Sequence, residues 1–171
     1  YSSAASDVYK RQVTLTATDL GVVVAGHMNE EQKEIYALYT ETHGLTQQFY
    51  TPLNLYWYSY VSSYYGYRIN PVTGQEQFHR GVDIVVPTGT TVLAAMDGTV
   101  TTATYDASYG NYVVIEDSNG YCTKYAHMDT LNVSAGQTVT HGTTIGTTGN
   151  TGSSTGSDLD IECLYVSLIH I

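Results

Sequence analysis

The pattern of hydrophobic and polar positions becomes β-like from about residue 63 onward. Short runs of Val, Ile, Thr and Tyr alternate there with turn residues, at intervals of about 8–12 residues. No helical period interrupts them, so the pattern predicts a mainly β domain, a compact antiparallel sheet or sandwich. Asp97-Gly98 and Asn119-Gly120 are typical hairpin turns. The Gly-rich segment 147–157 predicts a mobile loop rather than a linker between domains.

The residues before this β region predict one helix. Asn29 can cap it, the acidic residues that follow suit a helix N-terminus, and Gly44 can end it. We therefore predict a short N-terminal segment, 13–62, with a helix over about 29–43. Residues 1–12 resemble adapter-derived sequence and are expected to be a non-native or disordered tail. Residues 166–171 are expected to be a second non-native tail.

An acidic cluster, Asp158-Leu159-Asp160-Ile161-Glu162, follows the Gly-rich loop. On a strand, its three carboxylates would share one face because successive side chains alternate. Two unit charges about 5 Å apart repel by roughly 3 kcal/mol at an effective dielectric of about 20. A divalent cation would remove that repulsion, whereas on a solvent-facing strand edge the same charges would simply be hydrated.

A second strand is predicted from Tyr121 to His127. Alternation places Tyr125 and His127 on one face, with Cys122 on the other. If this strand lay beside the acidic strand with the polar faces together, Cys122 and Cys163 would share the opposite face. A disulfide, two packed thiols, or two small buried apolar residues would all fit that arrangement.

Composition excludes several partners. The net charge is −10 with six Lys and Arg in 171 residues, which leaves no basic surface for nucleic acid or for an anionic membrane. No apolar run reaches the ~20 residues of a membrane-spanning helix. The 17 tyrosines suit half-exposed strands, and they would also suit a polar, sugar-like or peptide ligand.

Several motifs in collinear order carry a family resemblance. They are YGYRINPVTGQEQFHRGVDI, VPTGTTVLAAMDGTV, YGNYVVIED, YCTKYAHMD and VTHGTTIGTTGNTGSSTGS. From about Ser63 to Leu164 the chain resembles peptidase family M23, the lysostaphin-like or LytM-type peptidoglycan metalloendopeptidases. The resemblance implies an M23-like metallopeptidase domain over 63–165, with a groove above one zinc ion.

The resemblance also implies roles for particular residues. His79 and Asp83, the HxxxD motif, would hold zinc, and His127 of the Tyr-x-His motif would assist catalysis. Where the family has His-Leu-His, this chain has Asp158-Leu159-Asp160. Asp160 therefore falls on the third metal-ligand position and Asp158 on the second catalytic position. Such a His/Asp/Asp set is harder, binds zinc less selectively and tolerates Mn or Ca better.

Three further residues are expected near this site. Glu162, on the face of Asp160, would orient a ligand. Arg68 and Asn70 would line the groove, or fix a loop by hydrogen bonding.

The resemblance implies hydrolysis of peptide stems or cross-bridges of bacterial peptidoglycan, in the cell envelope or outside the cell. The two aspartates predict activity lowered by ~10²-fold or more. The alternative is a catalytically degenerate domain that binds or regulates the cell wall, and a sugar-binding β-domain is the third reading.

Overall fold

The computed structural model describes residues 13–16, 46–71, 73–165 and 169–170 of the chain. The helix expected over about 29–43 and the tail 1–12 lie outside these residues. Within them the only helix is a 3-10 turn, η1, at Trp57–Tyr60. No helix in this part of the chain has the length and apolarity needed to cross a bilayer.

The rest of the described chain is built from short strands, so the predicted mainly β, antiparallel fold is confirmed. The first seven are β1 Val13–Thr16, β2 Thr46–Phe49, β3 Val61–Ser63, β4 Gly66–Ile69, β5 Glu76–His79, β6 Val82–Ile84 and β7 Thr91–Leu93. The remaining seven are β8 Gly98–Asp106, β9 Gly110–Glu116, β10 Tyr121–Leu131, β11 Thr138–Val139, β12 Thr144–Thr148, β13 Leu159–Tyr165 and β14 Ile169–His170.

One large sheet organises the domain. Its main path runs β11-β8-β9-β10-β13-β6-β3, with β12, β7 and β14 attached at the sides, while β1-β2 and β4-β5 are separate two-stranded sheets. The long strand β10 lies in the middle of this path, paired with β9 on one side and β13 on the other. Strands β13 and β6 then bring the acidic cluster beside the HRGVD segment.

The two hairpin predictions had different outcomes. Asn119-Gly120 lies in the turn that joins the paired strands β9 and β10, and Gly120 there has a φ of 87°, which suits glycine. The prediction for Asp97-Gly98 is wrong, because β7 pairs with β12 whereas β8 pairs with β9 and β11. The Asp97-Gly98 segment connects two strands, β7 and β8, that are not paired with each other.

The core lies on the face of the sheet that Tyr125 occupies. Tyr121, Tyr125 and Tyr165 are fully buried there among aliphatic side chains. The Tyr125 hydroxyl accepts the Ala95 N–H at 2.7 Å and donates to Thr123 Oγ1 at 3.0 Å, which satisfies the phenol. Some of the tyrosine surplus therefore serves the core, while Tyr56, Tyr58, Tyr60, Tyr64, Tyr67 and Tyr105 are exposed.

The expected arrangement of the two cysteines is wrong. In the β10–β13 register Thr123 faces Cys163 and Cys122 faces Leu164, so the cysteines lie on opposite faces of the sheet. Both are free thiols, Cys122 buried and Cys163 partly buried. Burial raises the pKa of the Cys163 thiol to about 12, so it is an inert thiol at neutral pH.

Candidate active site

The site lies on the face of the sheet opposite the core, where β5, β6 and β13 meet. His79 ends β5, Asp83 lies in β6, and Asp160 of β13 is the register partner of Asp83. One ligand atom from each of these three side chains lies within 4.8 Å of the others. The structure therefore brings together the three residues expected to hold a metal.

Gly81 allows this close approach. A Cβ on Gly81 would overlap Asp160 Oδ1 and lie 2.8 Å from the Ile161 carbonyl oxygen. The segment between His79 and Asp83 therefore packs directly on β13, and any side chain at position 81 would push Asp160 away. Gly81 is a functional residue that motif reasoning misses, although its place between the two ligands is a usable signal.

His79 is oriented by backbone. Its Nδ1 donates to the Tyr64 carbonyl oxygen at 3.1 Å, and the Ser63 hydroxyl lies 3.4 Å from the same nitrogen. The Nε2 atom is left facing Asp83 Oδ1 at 3.2 Å and Asp160 Oδ1 at 3.6 Å. A backbone carbonyl on the far nitrogen fixes the tautomer that a metal-ligating histidine needs.

The electrostatics of the cluster reflect three mutually close charges. Burial lowers the pKa of His79, but the carboxylates of Asp160 and Asp83 outweigh burial and raise it to about 10. Burial raises the pKa of Asp160, and its net shift is upward. Burial would also raise the pKa of Asp83, but His79 and Arg68 together lower it. In the metal-free protein the raised pKa favours a protonated His79, whose positive charge offsets the two carboxylates.

The donor set fits a divalent cation. Among the described residues, the buried atoms His79 Nε2 and Asp160 Oδ1 have no hydrogen-bond partner, and such buried polar atoms are rarely left unsatisfied. One imidazole nitrogen and two carboxylate oxygens are ligands that zinc accepts. His79, Asp83 and Asp160 would hold the ion.

Arg68 reaches this cluster and Asn70 does not. Arg68 Nη1 donates to Asp83 Oδ2 at 2.5 Å, which leaves Oδ1 of the same carboxylate facing His79. Asn70 instead lies in the β4–β5 turn, where its side chain accepts the Thr73 N–H at 3.0 Å and bonds to Gln77. Of the two roles left open for Asn70, the structure shows the loop-fixing hydrogen bond.

His127 is close enough to Asp158 to lower its pKa, and it reaches this side of the sheet because β10 is irregular here. Simple alternation would place His127 on the buried face of Tyr125. The pairing of β10 with β9 shifts register between Tyr125 and Met128, and His127 has a φ of 61°, the only positive φ of a described non-glycine residue. This bulge turns His127 to the site face and returns Met128 to the core.

The Gly-rich loop holds the His127 ring. His127 Nδ1 donates to the Thr151 carbonyl oxygen at 2.8 Å, so its Nε2 is the nitrogen left for chemistry. Thr151 is itself anchored, because its hydroxyl donates to the Met128 carbonyl at 2.7 Å and accepts the Asn111 N–H at 2.9 Å. The loop expected to be mobile is hydrogen-bonded to the site. Nothing in the sequence pattern distinguishes Thr151 from the other threonines of this loop.

Asp158 also faces this site, from just before β13. The Ser154 hydroxyl lies 2.6 Å from Asp158 Oδ1 and 2.7 Å from the Gly156 carbonyl oxygen. One hydroxyl proton cannot serve both acceptors, and a protonated Asp158 would satisfy both. Burial raises the pKa of Asp158, with Asp83 and Asp160 acting in the same direction against Ser154 and His127. The carboxyl therefore has a greater tendency to be neutral than a free aspartate.

Glu162 is paired away from the metal cluster. It is buried and its Oε2 lies 3.0 Å from Lys124 Nζ, directly across the β10–β13 pair. Glu162 shares the face of Asp160, as alternation predicted, and its charge contributes to the raised pKa of Asp160. Lys124 was not singled out from the sequence, although a lysine in a strand otherwise poor in charge was a usable signal.

Comparison with known proteins gives a consistent result. The sequence profile of peptidase family M23 matches residues 77–167, more than half of the chain. The chain is 48% identical over 103 residues to the peptidoglycan DD-endopeptidase ShyC of Vibrio cholerae, and 40% identical over 105 residues to the DD-carboxypeptidase/endopeptidase Mpg of Neisseria meningitidis. These alignments cover 60% and 61% of this chain but only 24% of each relative, so the chain spans about a quarter of their length.

Solved structures agree with the sequence relatives. The catalytic domain of lysostaphin from Staphylococcus simulans superposes with a TM-score of 0.59 at 29% identity, over 63% of this chain and 81% of that domain. A zinc-containing peptidase from Vibrio cholerae superposes with a TM-score of 0.60 over 94% of this chain and 70% of its own. At 21% identity that second likeness shows a shared fold only.

Proposed function

This chain belongs to peptidase family M23, and from that premise we propose that it is a zinc-dependent endopeptidase domain acting on peptide bonds of bacterial peptidoglycan. The observation that carries the proposal is the convergence of one ligand atom each from His79, Asp83 and Asp160 within 4.8 Å. Asp158 interacts electrostatically with Asp83 and Asp160 of this cluster and also with His127. The relatives ShyC and Mpg, named for peptidoglycan and DD-peptide cleavage, support this substrate class. A wall substrate places the domain in the cell envelope or outside the cell.

A zinc ion held by His79, Asp83 and Asp160 would supply a Lewis acid for water activation and for polarisation of the peptide carbonyl. The protein residues do the remaining work. His127 is fixed by Thr151 with Nε2 unprotonated in the neutral ring, so it can accept a proton and, once protonated, donate a hydrogen bond to the oxyanion. Arg68 holds the second oxygen of Asp83 and so keeps the other oxygen aimed at His79 and the metal position.

The two aspartates are expected to weaken this chemistry. Two carboxylates among three ligands leave less residual positive charge on the ion than one carboxylate would. Asp158 occupies the second catalytic position, where an ionised carboxylate repels a developing oxyanion and a neutral one already bonds to Ser154. We propose that this chain cleaves peptidoglycan at a rate lowered by ~10²-fold or more.

The test is digestion of purified peptidoglycan sacculi with release of muropeptides followed by chromatography. The parent chain, the Asp158→His/Asp160→His double variant and the double variant carrying His79→Ala are each supplied with one equivalent of zinc. We expect strong cleavage by the double variant, weak cleavage by the parent and none with His79→Ala. A folded, zinc-loaded double variant that releases no muropeptide from any sacculus type contradicts the proposal.

A second candidate function rests on Asp158. Because its carboxyl is tied into the loop by Ser154, the domain would bind wall peptides without cutting them and act as a binding or regulatory module. Co-sedimentation of the parent chain with sacculi separates the candidates. Binding with no released muropeptide, after prolonged incubation with zinc, favours the module, whereas slow release that stops on chelation favours the impaired enzyme.

A further inference from the structure

Lys124 forms a largely buried ion pair on the face of the sheet that carries the candidate site. Its Nζ lies 3.0 Å from Glu162 Oε2, and the two side chains are only 14% and 4% exposed. Burial lowers the pKa of Lys124, but the charge and hydrogen bond of Glu162 outweigh burial and raise it. The ammonium group therefore stays charged in a place where an unpaired charge would be strongly unfavourable.

The same ammonium group contacts the segment that holds His127. Lys124 Nζ lies 4.1 Å from the centre of the Tyr109 ring, a cation–π distance. The Tyr109 carbonyl oxygen accepts the His127 backbone N–H at 2.8 Å. Lys124 thus links the strand that carries Asp160 with the residue that bonds the backbone of His127.

The backbone of His127 needs such support. A φ of 61° is unfavourable for a non-glycine residue and persists only where surrounding contacts impose it. The hydrogen bond to the Tyr109 carbonyl is one of those contacts, and the ring of the same tyrosine contacts Lys124 Nζ. On the other side, Glu162 lies two residues from Asp160, and its Cγ is 3.0 Å from where a Cβ on Gly81 would lie.

We propose that Lys124 is a positioning residue for His127. Through Tyr109 it fixes the kinked backbone of His127 relative to the metal-ligand strand, and through Glu162 it ties that position to Asp160. Lys124 touches neither the metal position nor the reacting atoms. Its kinetic consequence rests on the proposed function, whereas its structural consequence does not.

The experiment compares Lys124→Met, Lys124→Arg and Tyr109→Leu by NMR of the His127 ring nitrogens and backbone amide, assigned with a His127→Gln variant. Lys124→Met keeps the length of the stem but removes the charge, and Lys124→Arg keeps both the charge and the cation–π contact. We expect Lys124→Met and Tyr109→Leu to shift the His127 signals from their parent positions in the same direction. In Lys124→Arg the signals should stay close to those of the parent.

In the Asp158→His/Asp160→His background, Lys124→Met should lower kcat by about 10-fold with KM little changed, because a misplaced catalytic group affects the reaction more than binding. His127 signals in Lys124→Met that superimpose on those of the parent overturn the proposal, as do opposite shifts in Tyr109→Leu. If the double variant cleaves nothing while the His127 signals shift as expected, the positioning role stands and the proposed hydrolase function fails.

Discussion

Asp160 and Asp83 lie directly opposite one another in the antiparallel pair of β13 and β6. Like charges at directly opposed positions destabilise a sheet, and here both side chains are largely buried. His79 approaches both, with Nε2 at 3.2 Å from Asp83 Oδ1 and 3.6 Å from Asp160 Oδ1. The sheet register therefore places two carboxylates where they repel each other. A proton on His79 reduces this repulsion in part, and a divalent cation would reduce it further.

The close packing of Gly81 on Asp160 gives the first prediction. Gly81→Ala places a methyl group on Asp160 Oδ1, so β13 or the HRGVD segment must shift. We expect a loss of about 1–3 kcal/mol of unfolding free energy and at least a 10-fold loss in zinc affinity, measured by urea denaturation and by zinc titration. Gly156→Ala is the matched control, because a Cβ there meets nothing within 4 Å. Equal effects of the two variants would contradict this account.

The raised pKa of His79 predicts that metal binding releases a proton. With a pKa of about 10 in the metal-free protein, His79 is protonated at neutral pH and must lose that proton to ligate an ion. Calorimetric zinc titration at pH 7.5 in two buffers of different ionisation enthalpy should give about one proton per ion. His141→Asn, a change at a remote exposed histidine, should leave the value unaltered. A binding enthalpy independent of the buffer would refute the prediction.

The same shift fixes the pH dependence of the metal-free fold. Because the folded-state pKa of His79 lies above its ordinary value of 6.5, pairing stabilises the fold fully below about pH 6.5 and is lost as the pH rises toward 10. With chelator present, thermal midpoints should therefore fall across that window more steeply in the parent than in His79→Gln. If the thermal midpoints of the two proteins fell equally with pH, His79 would not carry a stabilising proton in this pH range.

Anchoring of the Gly-rich loop by Thr151 gives the fourth prediction. Thr151→Val keeps the shape but removes a hydroxyl that bonds both the Met128 carbonyl and the Asn111 N–H. We expect a loss of about 1–3 kcal/mol in unfolding free energy, because the Asn111 N–H loses this acceptor and the Met128 carbonyl keeps the longer bond from Asn111 Nδ2 at 3.2 Å. Thr151→Ser keeps the hydroxyl and should retain most of the stability in the same urea titration. A serine variant as unstable as the valine variant would point to methyl packing instead.

A surface contact outside the candidate site gives the fifth prediction. Asp97 Oδ1 accepts the His141 backbone N–H at 2.7 Å and lies 2.7 Å from His141 Nδ1, and these bonds lower the pKa of Asp97. The His141 ring also stacks on Tyr50, with 3.7 Å between ring centres. The carboxylate therefore stabilises the fold above its ordinary pKa of 3.8, and that stability is lost as the pH falls below that value.

Thermal unfolding of Asp97→Ala at pH 7 and at pH 2.5 checks this contact. The variant should melt below the parent at pH 7, and the difference should shrink at pH 2.5. His141→Phe is the companion variant, since it keeps the stacking on Tyr50 and the backbone N–H but loses the ring hydrogen bond. A gap between Asp97→Ala and the parent that is the same at both pH values would show that the charge contributes nothing.

The sequence predicted the β architecture well because its signals are local. Turn residues and β-branched runs recur at strand spacing, and Asn119-Gly120 marks a true reversal. Alternation also placed Asp160 and Glu162 on one face, as observed. Local signals do not determine which strands become neighbours. For that reason the hairpin predicted at Asp97-Gly98 is not found.

In the candidate site, too, some residues could be predicted from the sequence and others depend on strand pairing. The resemblance to family M23 indicated His79, Asp83 and Asp160 as the metal ligands, and the structure brings their ligand atoms together. Strand alternation failed for His127, because a bulge set by pairing with β9 reverses its face. Lys124 could not be identified from the sequence for a related reason. Its role depends on its position opposite Glu162, which is set by the register between residues 38 positions apart.

The bulge at His127 also limits how this chemistry can be transplanted. If Tyr-Ala-His were grafted onto a regular strand without the bulge, the imidazole would lie on the core face among apolar side chains, even though the sequence motif was unchanged. The portable unit is the kinked stretch of β10 together with the tyrosine carbonyl and the threonine carbonyl that hold it.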